Sequence, residues 1–358
     1  GAASSELREL RAVDAVVQAL SGTLPTPDAV RVPAPAQART AREGAIAIVG
    51  IGCVLPDAPD VASYWQNLIE GRCSIRQIDR WSTDRYLDPD AGTTGPAKSY
   101  SALAATVQEQ ALDPERFRIP PAVLPTLDRS QILALLAADQ AVRSAGWHIR
   151  GPKQERAAVI LGNAMGGQHS KDMVLRVRFR DVLAAAARAG GTVDVGATEA
   201  LLSAELPPIQ SDSMAGLLSN VVAARVASWL GWMGGAATVD AACAATLAAL
   251  HTGIQQLRSR QVDAVLAGGV DTDLTPETFV GFSRTMALSA YGSCPFSADA
   301  DGFVMGEGAA IFALMRLEDA EREGREVWAV VDGIGQSSDG RGKSITTPRP
   351  QGQRLAIL

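Results

Sequence analysis

Four cysteines, at positions 53, 73, 243 and 294, are the side chains best suited to covalent chemistry, and one stands out by its surroundings. In "VDAACAATLAAL" (239–250), Cys243 follows an apolar strand-like run and precedes a helix-like one. A thiol attacks only as thiolate, and the dipole and free N–H groups of a helix N-terminus favour that anion. The alanines at 241, 242, 244 and 245 would let backbone and helix approach closely at so sharp a corner. The alternative is a small buried hydrophobe, since free cysteine is among the most buried residue types.

Acyl transfer through a cysteine also calls for a base or proton shuttle within hydrogen-bond reach. Three histidines are available, at 148, 169 and 251. His251 lies on the same helix but about 12 Å along its axis from Cys243, too far for contact. His148, in "GWHIR", reads as a boundary residue, and His169 follows the turn "GNAMGGQ" without a context that positions a base.

The elements that must hold such a site can be read from hydrophobic period and turn residues. "AIAIVGIGC" (45–53) is an apolar strand running into a glycine turn, and 60–70 is a helix with Asp60 as N-cap. Residues 71–125 read as an irregular surface excursion, followed by a helix at 127–146 and a buried strand at 157–163. Residues 171–230 are mostly helical, with a break around 205–213. Strand (236–241), helix (244–258), strand (263–271), helix (275–283) and strand (308–317) then alternate, and a strand at 327–335 opens a new unit. Continuously apolar strands alternating with helices predict an α/β fold whose parallel or mixed sheet is covered on both faces. Ahead of it, 5–20 has the pattern of a short amphipathic helix, and the Pro/Ala-rich 21–44 has linker composition.

Composition narrows the function classes. The chain has 358 residues, 47% hydrophobic and 20% charged, with net charge −6, which argues against nucleic acid as the main partner. The cysteines form no CxxC pair, so they read as reduced thiols of a cytosolic protein rather than a disulfide frame or zinc site. The chain begins with Gly1 and no signal peptide follows, so a piece of a longer polypeptide is expected. The segment 226–247 has only Asp240 as a charge, but glycines interrupt it, which favours a buried core over a membrane span. "VGIGCVLP" (49–56) lacks the third glycine of a dinucleotide turn. "SADADGFVMGEG" (297–308) has the wrong spacing for a calcium loop and reads as a tight turn, and "RLEDAEREGRE" (316–326) as a solvated helical face.

The cysteine segment resembles the nucleophile signature of β-ketoacyl synthases, the condensing enzymes of fatty acid and polyketide synthesis. The resemblance continues through "IAIVGIGCVLPDAPDVASYWQNLIEG" (46–71), "LDRSQILALLAADQAVRSAGW" (127–147) and "LSNVVAARVASWLG" (218–231). It extends into "DAVLAGGVD" (263–271), "GFSRTMALSAYGSCPFSADADGFVMGEGAAIFALMRLEDA" (281–320) and "GQSSDG" (335–340). "GKSITTPRPQGQ" (342–353), with "GGVDTD" (268–273), is most similar to synthases of polyunsaturated fatty acid and related iterative polyketide systems.

The resemblance implies a thiolase-like layered αβαβα fold and a homodimer. It assigns 1–44 to a short helix and linker, 45–320 to the N-terminal half of a ketosynthase, and 321–358 to an incomplete start of the second half. Cys243 would accept an acyl chain from an acyl carrier protein. A malonyl-carrier unit would then lose CO₂ and condense with that chain. Met165 falls where the family places a side chain at the end of the acyl pocket, and Phe282 where it places one near the nucleophile; a core role is the alternative for each. No cofactor is implied within the domain itself, its substrates riding on carrier-protein phosphopantetheine. Nucleic acid and membrane are not implied as partners, and the location is cytoplasmic. The family's two catalytic histidines lie in HGTGT- and NIGH-like motifs, and neither motif occurs in this sequence. The expectation is therefore a ketosynthase fragment without condensing activity of its own. Rivals are a non-catalytic partner and a thiolase-fold acyltransferase that does not condense.

Overall fold

The computed structural model describes residues 44–90, 97–164, 166–191, 194–342 and 347–357. The helix read at 5–20, the linker up to residue 43, and Met165 lie outside them. The elements in chain order begin with β1 (Ile46–Val54), α1 (Val61–Ile69), β2 (Arg76–Gln77), α2 (Thr83–Tyr86), β3 (Leu103–Ala105), α3 (Arg129–Ser144) and β4 (Ala157–Gly162). A helical stretch follows, α4 (Gln168–Arg188), α5 (Val195–Glu205), α6 (Ser213–Leu217) and α7 (Ser219–Leu230). Then come β5 (Ala236–Val239), α8 (Ala245–Arg258), β6 (Ala264–Asp271), α9 (Pro276–Arg284), β7 (Met305–Gly306) and β8 (Gly308–Arg316). The described chain closes with α10 (Leu317–Glu323), β9 (Ala329–Val331) and α11 (Pro350–Ile357).

The chain forms two compact units, a larger one drawn from 41–73, 106–273 and 307–358, and a smaller one that includes 74–105 and 274–306.

In the larger unit six strands make one mixed sheet in the order β5-β4-β6-β8-β1-β9. β5, β4 and β6 are parallel, and β8 runs antiparallel to both β6 and β1. Alternate residues on each strand feed different cores, as period-2 side chains must. Val159, Leu161, Leu266, Ile311 and Ala313 pack with α3 and α7, while Ile160, Val265, Ala267 and Leu314 pack with Ala249, Ile254 and Leu257 of α8. The sheet is covered on both faces, as the apolar strands predict.

Two glycines of β1 correct the sequence reading. Gly50 and Gly52 lie inside the strand, not in a turn after it. A Cβ on Gly50 would stand 2.4 Å from the Ala141 carbonyl oxygen, and one on Gly52 2.0 Å from that of Ala137. They are the space into which α3 settles.

β9 also differs from expectation. Rather than opening a new unit, it pairs antiparallel with β1, Ile46 opposite Val331, and forms an edge of the same sheet. The run 316–326 is not simply a solvated face either. Arg316 and Asp319 are buried, and the Arg316 guanidinium donates to Asp319, to Asp263 and to the carbonyls of Leu257 and Val262. Five donors on a planar fork can be satisfied indoors only by such a set of acceptors.

The smaller unit holds a three-stranded sheet, β2-β3-β7, over a core that includes Ile78, Tyr100, Ala104, Phe279 and Leu288. Trp81 meets Phe279 edge to face at 5.1 Å, and the Tyr100 hydroxyl donates to the Leu288 carbonyl at 2.7 Å. Residues 74–105, read as part of a surface excursion, thus have a core of their own with 274–306. Long-range packing made it, and no local period announced it.

α1 begins as expected, with Asp60 accepting the Ser63 N–H at 2.7 Å. Its apolar stripe, Tyr64, Trp65, Leu68 and Ile69, is exposed. Among the described residues no helix is long and apolar enough to cross a membrane.

Candidate active site

β5 ends at Val239, a single 3₁₀ turn takes Ala242–Ala244, and α8 starts at Ala245. Cys243 sits in that turn, exposed, one residue before its end. The strand-to-helix corner expected around it is present, with the helix one residue later than read. The buried-hydrophobe alternative does not hold for Cys243. It holds for Cys53, whose thiol burial pushes up to about 11, with Asp60 adding to the shift.

Local chemistry makes the corner. Asp240 accepts the Ala242 N–H at 2.9 Å, an Asx turn, and the Ala244 N–H returns to the Ala241 carbonyl at 3.1 Å. Ala242 is left with φ +48°, a left-handed conformation that costs an L-residue about 1–2 kcal/mol. The bend therefore needs outside support, and the sheet supplies it.

Gly162 at the end of β4 and Gly269 in β6 lie under the first turn of α8. A Cβ on Gly162 would come within 2.5 Å of the Ala245 carbonyl carbon, and one on Gly269 within 2.0 Å of the Thr246 hydroxyl. Asn163 ties the strand ends together. Its N–H donates to Val239, the last residue of β5, and its Nδ2 to the Val270 carbonyl of β6 at 2.9 Å. Gly162, Asn163 and Gly269 are positioning residues the sequence reading missed. The signal was there, in small residues at matching ends of two parallel strands.

His148 is exposed and His251 lies 3.5 Å from Gln255. His169 is buried in the first turn of α4, its own N–H donating to Asp128, with Nε2 unpartnered. Among the described hydrogen bonds none joins a histidine to Cys243. Phe282 belongs to the smaller unit, half-buried on α9, with its ring edge-on to Phe303 at 5.2 Å.

Cys243 is thus an exposed thiol at a strand-to-helix corner. The family profile described as "Beta-ketoacyl synthase, N-terminal domain" matches residues 43–320. The chain belongs to the β-ketoacyl synthase family. It is 34% identical over 313 residues to a phenolphthiocerol/phthiocerol polyketide synthase of Mycobacterium tuberculosis, covering 86% of this chain and 18% of that one. A highly reducing polyketide synthase of Cladosporium cladosporioides is 32% identical, with 87% and 12% covered. Solved ketosynthases give the same answer in three dimensions. That of module 6 of the bacillaene synthase of Bacillus subtilis 168 superposes with TM-score 0.70 at 28% identity, covering 87% of this chain and 47% of that one. The oxazolomycin ketosynthase domain of Streptomyces albus JA3453 gives 0.71 at 26%, with 87% and 49% covered. The β-ketoacyl synthase chain thus has the layered α/β fold of these ketosynthases. It spans under a fifth of the length of the curated relatives and about half of the solved domains.

Proposed function

We propose that this chain is the ketosynthase region of a polyketide or polyunsaturated fatty acid synthase, with Cys243 as its acyl acceptor. The exposed Cys243 corner, braced by Gly162, Gly269 and Asn163, carries the reading. The Cys243 thiolate attacks a carrier-protein thioester, forms the new S–acyl bond and expels the carrier thiol. A malonyl-carrier then loses CO₂, and its C2 carbanion attacks the acyl-enzyme carbonyl. The C–C bond forms as the Cys243 thiolate leaves, giving a β-ketoacyl-carrier. On the family resemblance, Phe282 and Met165 have roles in acyl binding, acyl carrier protein is the partner, and the working unit is a cytoplasmic homodimer. Residues 1–358 alone load Cys243 without condensing, since among the described residues no hydrogen bond joins a histidine to that thiol.

The test uses the chain of residues 1–358 and a chloroacetyl carrier-protein, with the adduct located by mass spectrometry. The expected adduct is on Cys243 and is lost in Cys243→Ala. An adduct that survives that substitution, or maps to Cys53, Cys73 or Cys294, refutes the assignment. Formation of β-ketoacyl product from malonyl-carrier by 1–358 alone refutes the loading-only reading and makes His169 the base to mutate.

A further inference from the structure

At the end of the sheet away from Cys243, roughly 25 Å along β6 for its eight residues, is a cavity of about 500 Å³. It lies between the residues that start β4 and β6 and those that end β8, all within the larger unit. Seven basic and three acidic residues line it, although the chain as a whole carries −6. We propose that this cavity binds a phosphate ester, at a site separate from the Cys243 chemistry.

The acidic groups in the wall are already committed. Asp263 is shared by Arg156 and Arg316, Asp319 by Arg316 and Arg322, and Glu323 pairs with Arg325. Outside the lining, Glu318 holds the Arg260 guanidinium. Arg150 and Lys153 are left, and neither engages a carboxylate among the described residues. Glu155 is on the same 3₁₀ turn as Arg156 but does not line the cavity. The surplus positive charge is therefore concentrated at one concave place.

The fork geometry suits phosphate. Arg325 is fixed by the carbonyls of Ala145 and Arg150, at 3.1 and 2.7 Å, and Arg156 by the Arg260 carbonyl at 2.7 Å. Guanidinium groups held in this way have already lost their rotamer freedom, so a tetrahedral anion can engage them at small further entropic cost. Size selects the ligand class. About 500 Å³ falls in the small-molecule range of roughly 300–1,000 Å³. A phosphate on a small molecule fits that volume.

The experiment titrates residues 1–358 with sodium pyrophosphate and inorganic phosphate by calorimetry at fixed ionic strength. Saturable pyrophosphate binding is expected, weakened at least tenfold in Arg150→Ala/Lys153→Ala and in Lys153→Glu, with the circular dichroism spectrum unchanged. Lys153 is one of only four lysines, so acetylation read by mass spectrometry gives a second measure that needs no variant. Pyrophosphate should slow modification of Lys153 at least fivefold and leave Lys98 unaffected. Labelling of Cys243 by chloroacetyl carrier-protein should proceed unchanged with pyrophosphate bound. No binding, equal binding by the variants, an unprotected Lys153, or equally tight competition by penta-glutamate would each overturn the proposal. The last result would mark a surface for acidic peptides instead.

Discussion

Arg129, at the start of α3, pairs with Glu307, just before β8, at 3.1 Å, and the Glu307 side chain is 1% exposed. Glu307 also accepts the Val107 N–H at 2.7 Å. A carboxylate so buried is tolerable only while its partners stay. Arg129→Ala should therefore cost about 3–5 kcal/mol of unfolding free energy in urea. The double substitution Arg129→Met/Glu307→Leu should recover most of it, because no uncompensated charge remains. A single substitution within about 0.5 kcal/mol of wild type would show that the pair is not what holds this corner.

Asp263 gives the stability a pH signature. The hydrogen bond from Arg156, then that from Arg316 and the two positive charges, hold its carboxyl well below the usual carboxylate range. A lowered folded-state value means that the unfolded chain takes up the proton first, near pH 4. The stabilisation is therefore complete above that pH and fades as pH falls toward the folded value. The stability gap between wild type and Asp263→Asn should be flat from pH 8 to 5 and narrow below pH 4. A gap that widens toward low pH contradicts this.

Thiol reactivity should sort by burial. At pH 8, iodoacetamide should label the exposed Cys73, Cys243 and Cys294 in the native protein and spare Cys53. Burial and the Asp60 charge keep Cys53 in the unreactive thiol form. In denaturant all four should react. Fast native labelling of Cys53 would mean that β1 opens readily.

The brace under α8 can be tested without touching Cys243. Gly162→Ala forces its new methyl against the Ala245 backbone, at a cost of about 1–3 kcal/mol, and tilts the first turn of the helix. The acylation rate of Cys243 should fall at least tenfold while the circular dichroism spectrum is retained. Ala242→Gly should be neutral or stabilising, since its φ of +48° no longer strains a side chain. Unchanged acylation in Gly162→Ala would remove that residue from the site.

The apolar stripe of α1 should govern solubility. Trp65, Leu68 and Ile69 are 63%, 54% and 66% exposed and share one face of the helix. Trp65→Gln/Leu68→Gln/Ile69→Lys should raise the concentration at which light scattering first appears, with little change in unfolding free energy. Equal scattering would place the adhesive surface elsewhere.

Periodic elements were legible in the sequence because their signal is local. The strands at 157–162 and 264–271 and the helix after Cys243 fall within a residue or two of their readings. The corner itself was legible from alanines and an apolar run. What escaped depends on chain segments far apart. Gly50 and Gly52 look like a turn until α3 is laid against them. Arg316 and Asp319 look solvated until Asp263 and the end of α8 close over them. Residues 74–105 have no period of their own and find a core only with 274–306. Asn163 carries no motif at all, and its value lies in the three strand ends it meets.

The place of β1 in the sheet sets a timetable for making the protein. Its two neighbours are β8 and β9, whose first residue is 308, while β1 itself is finished at 54. At ribosomal speeds of about 5–20 residues per second, β1 waits roughly 13–50 s before either hydrogen-bonding edge can be filled. For that interval "IAIVGIGCV" is an apolar strand with both edges open, the kind of segment that nascent chains lose to aggregation. α3, complete by residue 144, can shelter one face through Gly50 and Gly52 long before the edges close. Slowing translation between codons 54 and 144 should then lower soluble yield more than the same delay placed after codon 316.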